Sequence, residues 1–271
     1  MIRALMRFPF MWPVALGYYT RRLFRLKTRP LDGNWIYFFR QAMEHNTDVS
    51  GDRRGFIAHN RNMHHKAHIR SGTSSDVLVY TMIMFQEEYR DMKLLVSSSP
   101  AMTIIDASAN AGYFVLYALN SYPHAAVICI EPDASNCDQI RKQVELNDFR
   151  HVKVEQAALW TSEAKLDIVK ENDGLEWNYR TLEAQDGAIR GLTLQSLLRH
   201  HHCNRIDLFK MDIEGSETVL FTDKSFVEAS SIVEAWIIEI HDDAGKELIE
   251  SILRGRGYAV KTKDSLIFAN R

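Results

Sequence analysis

Thr103-Ile-Ile-Asp-Ala-Ser-Ala-Asn-Ala-Gly-Tyr-Phe-Val-Leu116 decides the fold. An apolar run stops at Asp106, small residues carry the chain to Gly112, and a second apolar run opens at Tyr113, which is the pattern of a strand, a tight loop and a helix. A turn built from Ala107, Ser108, Ala109 and Gly112 lets a ligand lie against the backbone, with helical N–H groups pointing at it. Asp106 places a fixed negative charge at the strand end. In a dinucleotide fold that acid would repel a pyrophosphate, whereas a cationic ligand such as S-adenosylmethionine is attracted to it. The loop therefore points to methyl transfer.

Outward from this stretch, strands and helices alternate. Strands are expected at Thr103–Asp106, Ala126–Glu131, Val152–Glu155, Leu166–Val169, Ile206–Asp212, Ala235–His241, Tyr258–Lys261 and Leu266–Ala269. Helices are expected at Tyr113–Ser121, Ala134–Asn147, Thr193–His200 and Ala244–Arg254. Such alternation means a parallel α/β sheet, and the nearly continuous apolar runs Val127–Ile130, Leu208–Met211 and Trp236–Ile240 suit strands covered on both faces. Asp106, Glu131, Asp212 and Glu239 fall at or near strand carboxyl ends, where such sheets bind ligands. Before the sheet, Asp76–Tyr89 has helical spacing, with Thr73, Ser74 or Ser75 placed to cap its start. From Asp32 to about Arg70 the chain is polar, contains several glycines and histidines, and reads as an irregular lead-in.

The chain of 271 residues, 46% apolar and 25% charged, fits one catalytic domain over residues 70–271 behind an arm and lead-in at 1–69. With 33 basic and 35 acidic residues and a net charge of −2, it exerts no global pull on nucleic acid, and none is expected as a partner. Cys129, Cys137 and Cys203 form no CxxC pair, and the cytoplasm is the expected location. Phe8–Tyr19 is apolar or aromatic between Arg3 and Arg7 on one side and Arg21, Arg22, Arg25 and Lys27 on the other. This segment is too short to span about 30 Å of hydrocarbon as a helix and is followed by no small-residue cleavage site. Residues 1–27 are thus either an interfacial membrane anchor or an arm packed on the domain or on a second subunit of a homo-oligomer.

Three further constellations carry chemistry. Glu131-Pro-Asp133 lies 23 residues beyond Ser108, a spacing that suits an acid receiving the ribose hydroxyls of a nucleoside. Asp207-Leu-Phe-Lys-Met-Asp-Ile-Glu-Gly-Ser-Glu217 places Lys210, Asp212, Glu214 and Glu217 on and after an apolar strand; the bland alternative is one buried ion pair with the other acids capping a helix. In Ile237-Ile-Glu-Ile-His241, period-2 geometry puts Glu239 and His241 on one face, and a histidine there accepts a hydroxyl proton near neutral pH.

With these elements in place, the chain resembles the FkbM-type methyltransferases from about Arg70 to Ala269. The residues that carry the likeness are Arg70-Ser-Gly-Thr-Ser-Ser-Asp76, Ile105–Phe114, Glu131-Pro-Asp133 with Asn136, Lys210–Glu217 and Ile238–His241. The resemblance implies a Rossmann-like class I methyltransferase fold: a mostly parallel seven-stranded sheet with an antiparallel last strand, here behind an N-terminal helical or irregular extension. It also implies S-adenosylmethionine as methyl donor and O-methylation of a sugar, glycan or natural-product hydroxyl. By this likeness Asp106 faces the methionyl amine, and the loop through Ser108, Asn110 and Gly112 packs on the methionyl part. Glu131 holds the ribose, Ala157 or Ala158 flanks adenine, and Thr73–Asp76 meets the cofactor carboxylate.

His241 would act as base, oriented by Glu239 or Asp212, with Lys210 beside them; a divalent metal on Asp212, Glu214 and Glu239 is the alternative activator. The family loop has glycine where this chain has Ser108, and Ser75 looks like an inserted residue. A non-catalytic S-adenosylmethionine-binding protein is the second reading. A nicotinamide-dependent oxidoreductase is the third, weakened by the lack of GxGxxG after the first strand. His200-His-His-Cys203 is discounted as a metal tract because neighbours on a helix point about 100° apart. His64 and His68 have helical metal-pair spacing but no completing acid or cysteine. Trp177, Asn178, Tyr179 and Arg180 either stack on a sugar or cover the core.

Overall fold

The structure is a computed structural model that describes residues 12–23, 30–52, 55–71, 74–97, 99–170 and 179–271. Its central element is a seven-stranded sheet made of β4 (Thr103–Ala107), β5 (Ala126–Glu131), β6 (Val152–Gln156), β11 (Leu208–Met211), β12 (Ala235–Glu239), β13 (Ala259–Lys263) and β14 (Leu266–Asn270). The spatial order is β13-β14-β12-β11-β4-β5-β6; β14 runs antiparallel to both neighbours and every other pairing is parallel. The order reverses between β4 and β11, the switch point outside which ligands bind in such sheets. This is the class I methyltransferase arrangement.

Alternate side chains explain why the strands are apolar throughout. Ile104, Val127, Cys129, Leu208 and Ile237 point into one buried layer with α4 (Tyr113–Ser121). Ile105, Ile128, Ile130, Phe209, Met211 and Trp236 enter the layer opposite. That second layer also contains residues of α6 (Leu194–His200), α7 (Glu217–Thr222), α8 (Lys224–Ala229) and α9 (Asp243–Gly255). The remaining expected helix, α5 (Ala134–Asn147), begins at Asp133, whose carboxylate accepts from Asn136 N.

The region expected to be an irregular lead-in is ordered. It forms α2 (Pro30–Glu44) and an antiparallel meander of β1 (Thr47–Asp52), β2 (Gly55–Asn60) and β3 (Ala67–Arg70). Phe38, Phe39 and Ala42 of α2, with Phe56 and Ile69 of the meander, join the same core as Tyr80, Tyr113 and Phe114. The apolar content is there, but it is spread over short strands and half of a helix, so no long periodic run announces it. α1 (Trp12–Leu23) packs on α2 and leaves Leu16, Tyr19 and Leu23 exposed. Among the described residues, no helix is long and apolar enough to cross a membrane.

Three further expectations change. The helix placed at Asp76–Tyr89 is α3 (Asp76–Tyr80) running into a π-helical turn at Thr81–Phe85 and ending at Gln86. Ser75 makes no side-chain cap bond, Ser74 Oγ donates to Arg70 O, and Thr73 lies outside the described residues. The strand expected at Leu166–Val169 exists as β8 (Lys165–Lys170), but outside the main sheet. It joins β7 (Ala158–Leu159), β9 (Tyr179–Glu183) and β10 (Ile189–Leu192) in a separate four-stranded sheet.

Candidate active site

The β4–α4 loop bends through three left-handed residues, Ser108 (φ 63°), Asn110 (φ 49°) and Gly112 (φ 80°). Two backbone donors, Ser108 N at 2.8 Å and Ala109 N at 3.1 Å, bind Ile130 O and fasten the loop to β5. A Cβ on Gly112 would come within 3.3 Å of Ile140, so the left-handed turn and the approach of α5 both select glycine. Ser108 adopts the same left-handed geometry with a side chain, which costs roughly 1–2 kcal/mol.

Glu131 ends β5 almost fully buried. Its Oε2 accepts from Asn110 N at 2.8 Å, and its Oε1 accepts from Asp133 N at 2.9 Å and Asn136 Nδ2 at 3.3 Å. Burial pushes its pKa up to about 6, against those backbone donors, which favour the ionised form. Arg70 braces this corner: it grips Asp76 through Nε and Nη2 and donates to Asn136 Oδ1 at 2.8 Å, while Tyr113 donates to Asp76 Oδ2. The sequence motif from Arg70 to Asp76 thus works as a support for Glu131. Its arginine is a residue that the sequence reading left without a role.

Two cavities adjoin at this loop. One, of about 430 Å³, is lined by Ser108, Asn110, Ile130, Glu131, Ala157 and Leu159 among others. The second, of about 440 Å³, shares Ser108, Asn110 and Glu214 with the first and is walled by Leu78, Met82, Phe114, Lys210, Glu239 and His241 among others. The expected residues therefore divide into two groups. Ser108, Asn110, Glu131 and Ala157 line the first chamber, and Lys210, Asp212, Glu214, Glu239 and His241 line the second. Gly112 acts one step back, as the residue that turns the chain into α4.

Asp106 lines neither chamber. It is fully buried and faces Lys210 Nζ at 3.3 Å, while the same ammonium donates to Ser108 O at 3.0 Å. Burial raises the Asp106 pKa to about 6 in spite of Lys210. Burial also opposes the charge on Lys210, but Asp106 and Asp212 outweigh it and hold the ammonium above the ordinary lysine range. The geometry makes Asp106 and Lys210 a buried pair that clamps the loop from below.

At the mouth of β11 and β12, His241 Nε2 lies 3.5 Å from Asp212 Oδ1 and 3.7 Å from Glu217 Oε1. Contact with Asp212, against the opposing effect of burial and with help from Glu217, raises the imidazole pKa to about 9. Burial raises Glu217 to about 7 and Glu239 to about 7, the latter reinforced by Asp212. Of the two acids expected beside His241, Asp212 faces its Nε2, joined by Glu217, while Glu239 lines the same chamber.

The metal set expected at Asp212, Glu214 and Glu239 does not converge. Among the described residues the ligand atoms that do meet on this side are those of Asp212, Glu217 and His241. Two left-handed residues, Glu214 (φ 54°) and Gly215 (φ 87°), turn the chain sharply after β11, and Glu217 enters through the first turn of α7. His64 and His68 also fail as a pair, because they lie on a loop and on β3 and are not on a helix; His68 Nδ1 instead meets Gln139 Oε1. Trp177 and Asn178 lie outside the described residues, and Tyr179 and Arg180 open β9. Glu88 and Tyr89, which no motif singled out, and Tyr113 of the Ile105–Phe114 motif also line the second chamber.

The sequence matches the Methyltransferase FkbM domain over residues 106–260. The chain belongs to the FkbM methyltransferase family. Among curated relatives, it is 25% identical to "Methyltransferase sdnD" of Sordaria araneosa over 69% of this chain and 85% of that one. It is 22% identical to "Methyltransferase 1" of Beauveria bassiana over 58% of this chain and 72% of that one. Among solved structures, TYW2 of M. jannaschii in complex with AdoMet covers 81% of this chain and 85% of its own, at 12% identity and a TM-score of 0.41. The matched span of this FkbM methyltransferase runs from Asp106 at the end of β4 to Val260 in β13, and so contains both carboxylate groups and His241.

Proposed function

We propose that this methyltransferase uses S-adenosylmethionine bound in the Glu131 chamber and methylates a hydroxyl of a small molecule, sugar or glycan held in the His241 chamber. The observation that carries the reading is the adjacency of the two cavities across Ser108, Asn110 and Glu214. The first chamber fits a nucleoside thioether in size and in chemistry. Its buried carboxylate at Glu131 suits two ribose hydroxyls, and Ile130, Ala157 and Leu159 give an apolar wall for a flat base. Ser108 and Asn110, common to both chambers, lie where the methionyl arm would cross toward the acceptor. When bound, the cofactor supplies an electrophilic methyl carbon and a neutral thioether leaving group.

The residues of this chain supply alignment and proton removal. With Nε2 held between Asp212 and Glu217, Nδ1 is the nitrogen left to receive the hydroxyl proton, and the two carboxylates stabilise the imidazolium that results. The acceptor oxygen keeps its electron pair for the new C–O bond. Asp106 and Lys210 hold the loop between the chambers and so fix the approach of the two reactants.

The direct experiment is a screen of sugars and hydroxylated natural products with S-adenosylhomocysteine release as readout. Release that depends on a hydroxylated acceptor supports the reading. Methylation confined to amine or thiol acceptors, or S-adenosylmethionine binding without transfer to any acceptor, contradicts O-methylation.

A further inference from the structure

At Glu155 of β6, a single carboxylate oxygen faces two imidazoles. His201 Nε2 lies 2.9 Å and His200 Nε2 3.6 Å from Glu155 Oε1, while Arg190 Nη2 donates to the other oxygen at 2.7 Å. The adjoining small cleft, lined by Glu155, Glu163, Arg190 and His200, shares no residue with either chamber. We propose that Glu155, His200 and His201 form a binding site for one divalent transition-metal ion of the zinc type, independent of methyl transfer.

Adjacent histidines deep inside a helix would diverge, but these two stand at its last residue and its C-cap. α6 ends at His200, His201 is its C-cap with φ −93° and ψ 6°, and His202 turns left-handed at φ 51°. His201 N still bonds Leu197 O at 3.0 Å, and the two imidazoles meet through their side chains, with ring centroids 4.7 Å apart. A simple His–Glu ion pair also needs only one imidazole. The second, His200, is 71% exposed, with water available to it, yet it turns Nε2 toward the same oxygen.

The ligand atoms of the three residues all lie within 4.8 Å of one another. Zinc bonds of about 2.0–2.2 Å in a tetrahedron put ligand atoms roughly 3.3–3.5 Å apart. The observed 2.9 and 3.6 Å bracket that value. Two imidazoles and a carboxylate suit zinc, copper or nickel over magnesium or calcium, and three protein ligands leave one position for water. Arg190 occupies the oxygen turned away from the imidazoles, the outer-sphere position that orients a ligating carboxylate. Glu163, bound to Thr193 N and Oγ1, adds a negative charge to the same cleft. An ion here would join β6 to α6 directly and to β10 through Arg190. Because it binds only the folded arrangement, it would raise stability by mass action.

The test is a competition for zinc between the full chain and a chromophoric chelator near neutral pH, run on wild type and on Glu155→Gln, His200→Ala, His201→Ala and His241→Ala. Circular dichroism checks that each variant is folded, and the exposure of His200 makes its variant the safest. The expected result is one zinc per chain, at least about tenfold weaker in each of the first three variants and unchanged in His241→Ala, with a zinc-dependent rise in thermal midpoint that His200→Ala abolishes. Absence of binding at about 10 μM zinc, wild-type affinity in a folded His200→Ala, or loss of the ion in His241→Ala alone would overturn the proposal.

Discussion

The two chambers are built on opposite principles. Around Glu131 the polar groups are satisfied from within: three donors hold the carboxylate, and Arg70, itself gripped by Asp76, holds one of those donors in turn. Around His241 the charges are crowded and only loosely paired, with Glu88, Glu214 and Glu239 all raised by burial and by the neighbouring Asp212. A site whose hydrogen bonds are already made holds one ligand in one pose. A site whose acids share too few cations stays responsive to protons and to the polar groups of an incoming acceptor. On the proposed function, the first chamber is the fixed cofactor cradle and the second the reaction vessel.

The strongest expected effect lies in the second chamber. His241→Ala should reduce turnover by about 10²–10⁴-fold, read as S-adenosylhomocysteine release with an accepted acceptor. Turnover within a few-fold of wild type would remove the distinction between the chambers, because the loose charges would then serve no proton transfer.

A subtler effect concerns pH. Only the neutral imidazole accepts a proton, and the folded pKa of His241 is about 9, so kcat/KM should climb as pH rises and level off near that value. Glu217→Gln removes one of the two carboxylates that favour the imidazolium, so this limb should move to lower pH. A pH–rate profile from pH 6 to 10 distinguishes this from a purely structural role of Glu217, which would lower the whole curve without displacing it. The same shift has a consequence for stability. The imidazolium contact with Asp212, whose own pKa is lowered, contributes its stability fully below about pH 6.5 while Asp212 stays ionised and loses that effect as pH rises through about 9.

The smallest effect belongs to the cradle. Ser108→Gly removes a left-handed non-glycine residue and should stabilise the protein by about 1 kcal/mol, or roughly 2–4 °C in Tm, by calorimetry. A large loss of S-adenosylmethionine affinity in this variant would instead make the serine hydroxyl a ligand.

The same contrast decides what the sequence discloses. The cradle is local: Asp106 to Gly112 and Glu131 to Asn136 lie on consecutive strand-loop-helix units, so strand ends and small residues mark it directly. β4, β5, β11 and β12 are likewise visible as nearly continuous apolar runs. The reaction chamber is assembled from distant segments, with Leu78 and Met82 from α3 and its π-helical continuation, Lys210 from β11 and His241 from beyond β12. That Glu217 meets His241 depends on the left-handed turn at Glu214 and Gly215, and spacing alone does not encode that turn. Sheet membership is hidden for the same reason. Lys165–Lys170 has strand composition, but its pairing with β9 and β10 is a tertiary fact. The meander at residues 47–70 is missed because its buried residues, such as Phe56 and Ala58, alternate over only a few positions.

The division of labour between the chambers is tested most directly by calorimetric titration of S-adenosylmethionine into wild type, Glu131→Ala and His241→Ala. The carboxylate of Glu131 makes charge-assisted hydrogen bonds, each contributing about 1.5–3 kcal/mol, so Glu131→Ala should bind roughly ten- to hundredfold more weakly. His241→Ala should stay within about twofold of wild type. Wild-type affinity in Glu131→Ala, or an equal loss in both variants, would contradict the placement of cofactor and acceptor in separate chambers.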